Sequence, residues 1–269
     1  MKTVVYSAIG KDFVWESCIS AKSLRDKMSG VKIILFSNCS VESDYFDEIY
    51  KVDLDSSIEP EIKSIKVKKI ESLRNLPDGE FLFLDSDTFI VEPFWEIFSY
   101  LNYFDIGVCF DNWRMGERTP GIPSYNSGVV VFRSNDKTRL FFDKWREEYL
   151  TNESIPDQYT FNQLLVKSDL RYVTMPPEYN FRAEELHLAA GHVKIIHKHH
   201  RTSVRRNSAS LGQFLNLTDE IRLYIPDGKM IRFDSNGVSN IDIEECGVDL
   251  SELRINAEKA MNISMKVSE

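Results

Sequence analysis

The sequence predicts an α/β fold, a mostly parallel sheet flanked by helices with a small α+β appendage at the carboxyl end. Three observations predict it. Short, continuously apolar β-rich runs recur between residues 4 and 197, helical patterns lie between several of them, and the chain turns polar and basic after residue 200. Strands separated by helices need crossover connections. Such connections make neighbouring strands parallel and cover both faces of the sheet, so each strand reads as apolar throughout rather than alternating.

The first strand is VVYSAI at 4–9, followed by a helix over WESCISAKSLRDKM at 15–28. VKIILFS at 31–37 is the second strand, and KSIKVKKIESLRNL at 63–76 a second helix. Three more apolar runs, EFLFL at 80–84, IGVCF at 106–110 and GVVVFR at 128–133, read as strands. In KTRLFFDKWREEYL at 137–150, Leu140, Phe141, Trp145 and Tyr149 recur at helical spacing as a core-facing stripe. VKIIH at 193–197 is the last strand of the series. Beyond it, LYIPDGKMIRF at 223–233 reads as two strands about a Pro-Asp-Gly turn, and DLSELRINAEKAMN at 249–262 as a helix opened by Asp249 or Ser251. The chain thus divides into a main domain over 1–209 and a small module over 210–269.

With 269 residues, 42% apolar and 28% charged, the chain has the make-up of a soluble globular protein with a sizeable core. Its net charge of -9 argues against a nucleic-acid partner, because nothing offsets repulsion from an anionic polymer. Cys18, Cys39, Cys109 and Cys246 are widely spaced and read as free core thiols. The opening MKTVVYSAIGKDF lacks a secretory apolar run, and no segment is long enough to span a bilayer. A reducing cytoplasm is the expected location.

The stretch FLFLDSDTFI at 81–90 runs four apolar residues into two aspartates that flank a serine. On an extended chain, residues i and i+2 project to one side, so Asp85 and Asp87 aim two carboxylates at one point while Ser86 faces elsewhere. In open parallel sheets ligands bind outside the carboxyl ends of the strands, where this pair falls. Two carboxylates that close repel unless a cation sits between them, and their oxygens suit magnesium or manganese. The structural alternative is one aspartate forming a turn or cap and the other solvated. A metal so held usually neutralises a diphosphate, and it stabilises the developing charge where the diphosphate is a leaving group. That chemistry fits a nucleotide-sugar donor, and equally a nucleotidyl transfer or a phosphatase.

The D-x-D strand end is followed in order by YNSGVVVF at 125–132, PDQYTFNQLL at 156–165 and VKIIH at 193–197. With the opening VVYSAIGKDFVWESCISAKSLR, these motifs resemble the metal-dependent glycosyltransferases of the Rossmann-like GT-A fold, in particular the retaining family 8, over roughly residues 3–200. The resemblance implies a Mn2+- or Mg2+-dependent enzyme that moves a sugar from a nucleotide-diphosphate sugar, a UDP-sugar in the first instance, to a glycan or other hydroxyl acceptor. It also implies site residues, position by position. Ala8 and Ile9 would offer backbone groups to the nucleobase and Phe13 would stack on it, although Phe13 reads equally as a core aromatic. Lys69 and Ser86 would contact the donor; the alternative for Lys69 is a solvated helix lysine beside Lys66 and Lys68. Asn126 and Ser127, in an N-S-G turn, would hydrogen-bond the donor sugar, and Gly128 would let the backbone approach closely. Asp157 and Gln158 would be the catalytic pair that holds sugar hydroxyls near the reacting carbon. Helix capping after Pro156 is the alternative, suited to the aspartate and not to the glutamine. His197 would join Asp85 and Asp87 on the metal, and its imidazole favours manganese.

After His197 the chain departs from family 8, reading HKHHRTSVRR where that family continues to a glycine and then Lys-Pro-Trp. Lys198 opens a basic cluster with His199, His200, Arg201, Arg205 and Arg206, from which a cation for the diphosphate can come. A retaining front-face displacement needs no carboxylate nucleophile. An inverting enzyme would need a general base, with Glu184 or Glu185 as candidates. DNWRMGERTPGIPS at 111–124 reads as a loop serving as lid or acceptor contact, in which Trp113 either stacks on an acceptor sugar or is buried beneath the loop. Two rivals stand beside this reading. A haloacid-dehalogenase-type phosphatase also ends a strand on D-x-D, but with a threonine one position later than Thr88 and close to the amino terminus. A non-catalytic sugar-nucleotide or glycan-binding module would keep the same residues. Arg201, Arg205 and Arg206 leave open a peripheral contact with an anionic membrane and a lipid-linked acceptor.

Overall fold

The computed structural model describes residues 2–111, 123–151, 156–182 and 193–197, with further strands at 214–215, 221–224, 229–234, 237–242 and 266–268. The chain opens with β1 (Thr3–Ala8), α1 (Lys11–Lys27), β2 (Lys32–Ser37), β3 (Ser40–Glu42) and β4 (Glu48–Lys51). Next come α2 (Glu61–Arg74), β5 (Gly79–Leu84), β6 (Thr88–Ile90), a 3-10 helix at Trp95–Asn102 and β7 (Ile106–Phe110). Then follow β8 (Tyr125–Ser134), α3 (Asp136–Thr151), α4 (Asp157–Lys167), β9 (Tyr172–Met175), β10 (Phe181–Arg182) and β11 (Ile195–His197).

The main sheet has seven strands in the order β4-β2-β1-β5-β8-β7-β9. Neighbours are parallel except on either side of β8, which runs antiparallel to β5 and β7. Successive strand residues face opposite ways. Val4, Tyr6, Leu82, Leu84, Val129 and Val131 therefore pack with Val14, Cys18 and Leu24 of α1 and with Ile97 and Leu101 of the 3-10 helix. Val5, Phe81, Phe83, Val130 and Phe132 pack instead with Val67 and Ile70 of α2, Phe142 and Trp145 of α3 and Phe161 of α4. Both faces are covered, which is why alternation is missing from these strands.

Several sequence expectations shift. Leu140 is 55% exposed, whereas Phe142 is buried. The buried stripe of α3 is Thr138, Phe141, Phe142, Trp145 and Tyr149, and a residue one step before Phe141 lies about 100° round the helix, on its outer side. VKIIH does not join the main sheet: β11 pairs antiparallel with β6 and parallel with β10 in a separate three-stranded sheet. In the carboxyl-terminal part, β13 (Ile221–Tyr224) and β14 (Lys229–Asp234) pair antiparallel as the hairpin expected about Pro-Asp-Gly. They lie in a four-stranded sheet with β12 (Phe214–Leu215) and β15 (Gly237–Asp242), while β16 (Lys266–Ser268) pairs with β3. The helix expected over 249–262 lies outside the described residues. Cys18, Cys39 and Cys109 are free and buried, and Cys246 is outside the described residues. Among the described residues, no helix is long and apolar enough to cross a membrane.

Candidate active site

β5 ends at Leu84, and the chain turns tightly at Asp85–Thr88, where the Thr88 N–H donates to the Asp85 carbonyl at 3.3 Å. It then leaves the main sheet as β6. The extended i, i+2 geometry expected for Asp85 and Asp87 is thus replaced by a turn, because β6 has to cross into the second sheet. The Thr88 hydroxyl closes the turn by donating to the Asp85 carbonyl at 2.9 Å. It also pairs with Ser20 Oγ of α1 at 2.7 Å, and Ser20 Oγ lies 2.9 Å from the Tyr6 hydroxyl. Ser86 donates to Glu16 Oε2 of the same helix at 3.1 Å.

The register of β6 against β11 sets His197 opposite Thr88. This places the buried imidazole beside the turn: Nε2 lies 3.1 Å from Asp87 Oδ1 and 3.6 Å from Asp85 Oδ2. One ligand atom from each of Asp85, Asp87 and His197 lies within 4.8 Å of the others. Gly128 of β8 faces this cluster, and a Cβ there would run into His197 Cε1 and stand 2.5 Å from Asp85 Oδ2. Only a glycine leaves that space open. Two hard oxygens and one imidazole nitrogen converging on one point are a donor set that fits manganese or magnesium. The three residues named from the D-x-D pattern and VKIIH are therefore brought together.

Lys69 is not a solvated helix lysine. It is buried, and Nζ donates to Asp85 Oδ1 at 2.9 Å and to the Ser127 carbonyl at 3.1 Å. Its charge also sits 4.7 Å from the centre of the Phe83 ring. One carboxylate of the pair is thereby neutralised by the protein itself.

Asn126, Ser127 and Gly128 lie within β8 rather than in a turn, and the pairing register between β7 and β8 shifts at Val108/Cys109. Asn126 Oδ1 accepts from the Gly128 N–H at 2.8 Å, and its Nδ2 donates to Gln158 Oε1 at 3.2 Å. Gln158 Nε2 in turn donates to Asp111. Asn162, one turn further along α4, accepts from the Tyr125 N–H and donates to its carbonyl, fixing the helix against β8. Asp157 is the first residue of α4, after Pro156, and its carboxylate accepts from backbone N–H groups of that first turn, as the capping alternative expects. Burial pushes its carboxyl up, but the ammonium groups of Lys66 and Lys69 and the backbone N–H groups at the helix start outweigh this and hold it below the usual range. Lys66 Nζ lies 3.8 Å from Asp157 Oδ2.

A pocket opens beside the D-x-D turn. Ser7, Ile9 and Phe13 line it from the β1–α1 corner, Ile62, Ile65, Lys66 and Lys69 from α2, and Asp85, Ser86 and Asp87 from the turn. Phe13 packs against the core and lines the pocket. Ala8 is fully buried at the end of β1. Lys198, its basic neighbours, Glu184, Glu185 and Trp113 lie outside the described residues. Asp111 was missed in the sequence although its signal was there, since IGVCFD repeats the apolar-strand-then-aspartate pattern of FLFLD. Lys66 was passed over as one of several helix lysines, and Asn180, 2.7 Å from His197 Nδ1, follows no pattern of spacing.

No curated protein sequence matches the chain. Among solved structures, the galactosyltransferase LgtC, in complex with donor and acceptor sugar analogues, matches with a TM-score of 0.50 and 14% identity over 72% of this chain and 86% of LgtC. The structure of an LgtC active-site mutant matches with a TM-score of 0.49 and 13% identity over the same shares. At 0.50 the first likeness speaks for the fold, the GT-A arrangement that the sequence motifs imply. Residues 65–205, which include the D-x-D turn, β8, the start of α4 and His197, match the family model for nucleotide-diphospho-sugar transferases. That match spans more than half of the chain, which accordingly belongs to the nucleotide-diphospho-sugar transferase family.

Proposed function

We propose that the chain is a metal-dependent glycosyltransferase that takes a sugar from a UDP-sugar and passes it, with retention of configuration, to a hydroxyl of a glycan or lipid-linked acceptor. The observation that carries this reading is the convergence of Asp85, Asp87 and His197 within 4.8 Å, next to the pocket lined by Ile9 and Phe13. Manganese or magnesium, when bound by those three side chains, supplies positive charge to the diphosphate as it leaves.

The chain's own groups do the rest. Ile9 and Phe13 take the base, while Lys69 orients Asp85 through its 2.9 Å contact. Lys198, directly after the metal-binding histidine, grips the diphosphate. Gln158 is fixed from both ends by Asp111 and Asn126, so its amide is held rigidly beside the sugar. Asp157, kept ionised by Lys66 and Lys69, accepts from sugar hydroxyls. In the transfer, the bond from the anomeric carbon to the phosphate oxygen breaks and the acceptor oxygen bonds to the same face. The acceptor proton passes to the departing phosphate oxygen.

The test is release of nucleoside diphosphate from a panel of UDP- and GDP-sugars with Mn2+, Mg2+ or chelator. Metal-dependent release from a UDP-sugar is expected, and Asp87→Ala should abolish it while leaving the fold intact. An Asp87→Ala protein that is fully active in Mn2+ removes the metal assignment. Release from GDP-sugars alone removes the uridine preference, and donor binding without release, acceptors included, turns the reading to a binding module. An inverted anomeric configuration in the product overturns the retaining mechanism.

A further inference from the structure

We infer that Asn180 is the positioning residue of the metal centre: its amide oxygen holds the His197 proton on Nδ1 and so leaves Nε2 to face Asp85 and Asp87. This inference rests on the metal-dependent reading above.

His197 is 2% exposed and Asn180 3%, so water does not compete for the imidazole. Asn180 Oδ1 lies 2.7 Å from His197 Nδ1. An amide oxygen only accepts, so the hydrogen of this bond belongs to Nδ1, and a neutral imidazole has no second one for Nε2. The Nε2 lone pair then points at the two carboxylates. Three electron-rich atoms facing one another repel unless a cation lies between them, which is the arrangement a metal requires of its ligands. Histidines that bind metals commonly donate their other N–H to a fixed oxygen, and that oxygen sets both the tautomer and the ring orientation.

Asn180 is held firmly enough for this task. It ends the short 3-10 turn Pro177–Asn180 and leads directly into β10, whose Arg182 pairs in register with His197. The Glu178 carbonyl accepts from the Lys194 N–H at 2.8 Å, and the Tyr179 hydroxyl donates to Glu96 Oε1 at 2.8 Å. The turn is thus tied to the approach of β11 and to the 3-10 helix below it. Asn180 Nδ2 is buried without a partner, so the bond this side chain makes is the one through its oxygen. An asparagine oxygen also orients the ring without adding negative charge to a site that already holds two carboxylates.

The test is Mn2+ binding to the full-length protein, measured by electron paramagnetic resonance of the free ion, for wild type, Asn180→Ala, Asn180→Asp and Asp87→Ala. Asn180→Ala should weaken Mn2+ binding by about 10- to 100-fold. Its kcat should return towards wild type at saturating Mn2+, and Asn180→Asp, which keeps an acceptor oxygen, should hold Mn2+ to within a few-fold. If Asn180→Ala does not fold, Asn180→Asp carries the test, and loss of its Mn2+ affinity overturns the inference. Equal affinity in wild type and Asn180→Ala overturns it, as does equal loss in both Asn180 variants. If wild type binds Mn2+ no better than Asp87→Ala, the metal reading itself falls, and this inference falls with it.

Discussion

Gly128 shows how closely the candidate site is packed at single-residue scale. Its missing side chain leaves the space into which a Cβ would bring His197 Cε1, Asp85 Oδ2 and Asn126 Oδ1 too close. Gly128→Ala should therefore cost about 1–3 kcal/mol in urea unfolding through overpacking. It should also lower metal-dependent turnover by about 100-fold, because the atoms that must give way are the ligands. A Gly128→Ala enzyme with unchanged Mn2+ dependence would show that the cluster is not the metal site. Asp157 makes a different prediction. Its folded pKa is lower than the unfolded value of about 3.9, so the ionised form stabilises the fold above about pH 4. That contribution is lost as the pH falls through the lowered pKa. Asp157→Asn should reduce the acid loss of stability below about pH 4 and leave the slope near neutrality unchanged. An unchanged acid limb in thermal unfolding would mean that Lys66 and Lys69 do not hold the carboxylate ionised.

Among the elements, α1 both packs on one face of the main sheet and braces the D-x-D turn. Its buried face includes Ser17, Ser20 and Ser23, an unusual set for the inside of a helix. Ser20 joins Tyr6 to Thr88, and Ser23 accepts from the Ile90 N–H at 3.0 Å, so these two serines anchor both ends of β6. Ser20→Ala should cost about 1–3 kcal/mol, because two buried hydroxyls lose a partner. It should also raise the Mn2+ concentration needed for half-maximal turnover. If stability falls but the Mn2+ requirement does not move, the turn is held by its own backbone. On the other side, Trp145 Nε1 of α3 donates to the Asp157 carbonyl at 2.9 Å, fixing the first turn of α4 to the core. The aromatic stripe of α3 was legible from spacing, but this one polar bond was not, because periodicity reports the face a residue occupies and not what its nitrogen meets.

For the whole molecule, the candidate site lies where two sheets meet. Asp85 leaves the main sheet, His197 ends a strand of the smaller one, and Gly128 belongs to β8 of the former. A metal held by Asp85, Asp87 and His197 ties the sheets together only in the folded state. Saturating Mn2+ should then raise the unfolding temperature of the wild type, with a stabilisation of about 2.7 kcal/mol at a hundredfold excess over the dissociation constant. Asp87→Ala should show no such rise. An equal rise in both proteins would place the ion elsewhere.

The α/β class, the strand runs, the helical stripes and the types of residue at the candidate site were legible along the chain, because these follow from local periodicity and from motifs. Asp85, Asp87, Asn126, Gln158 and His197 could all be named from the sequence. The tertiary structure alone decided that Asp85 and Asp87 meet through a turn, that VKIIH belongs to a second sheet, that Leu140 faces outward and that Lys69 is buried against Asp85. It alone also brought Asp111 to Gln158 and Asn180 to His197. These are contacts between residues distant in the chain, set by strand order and register, and no spacing within a single segment encodes them.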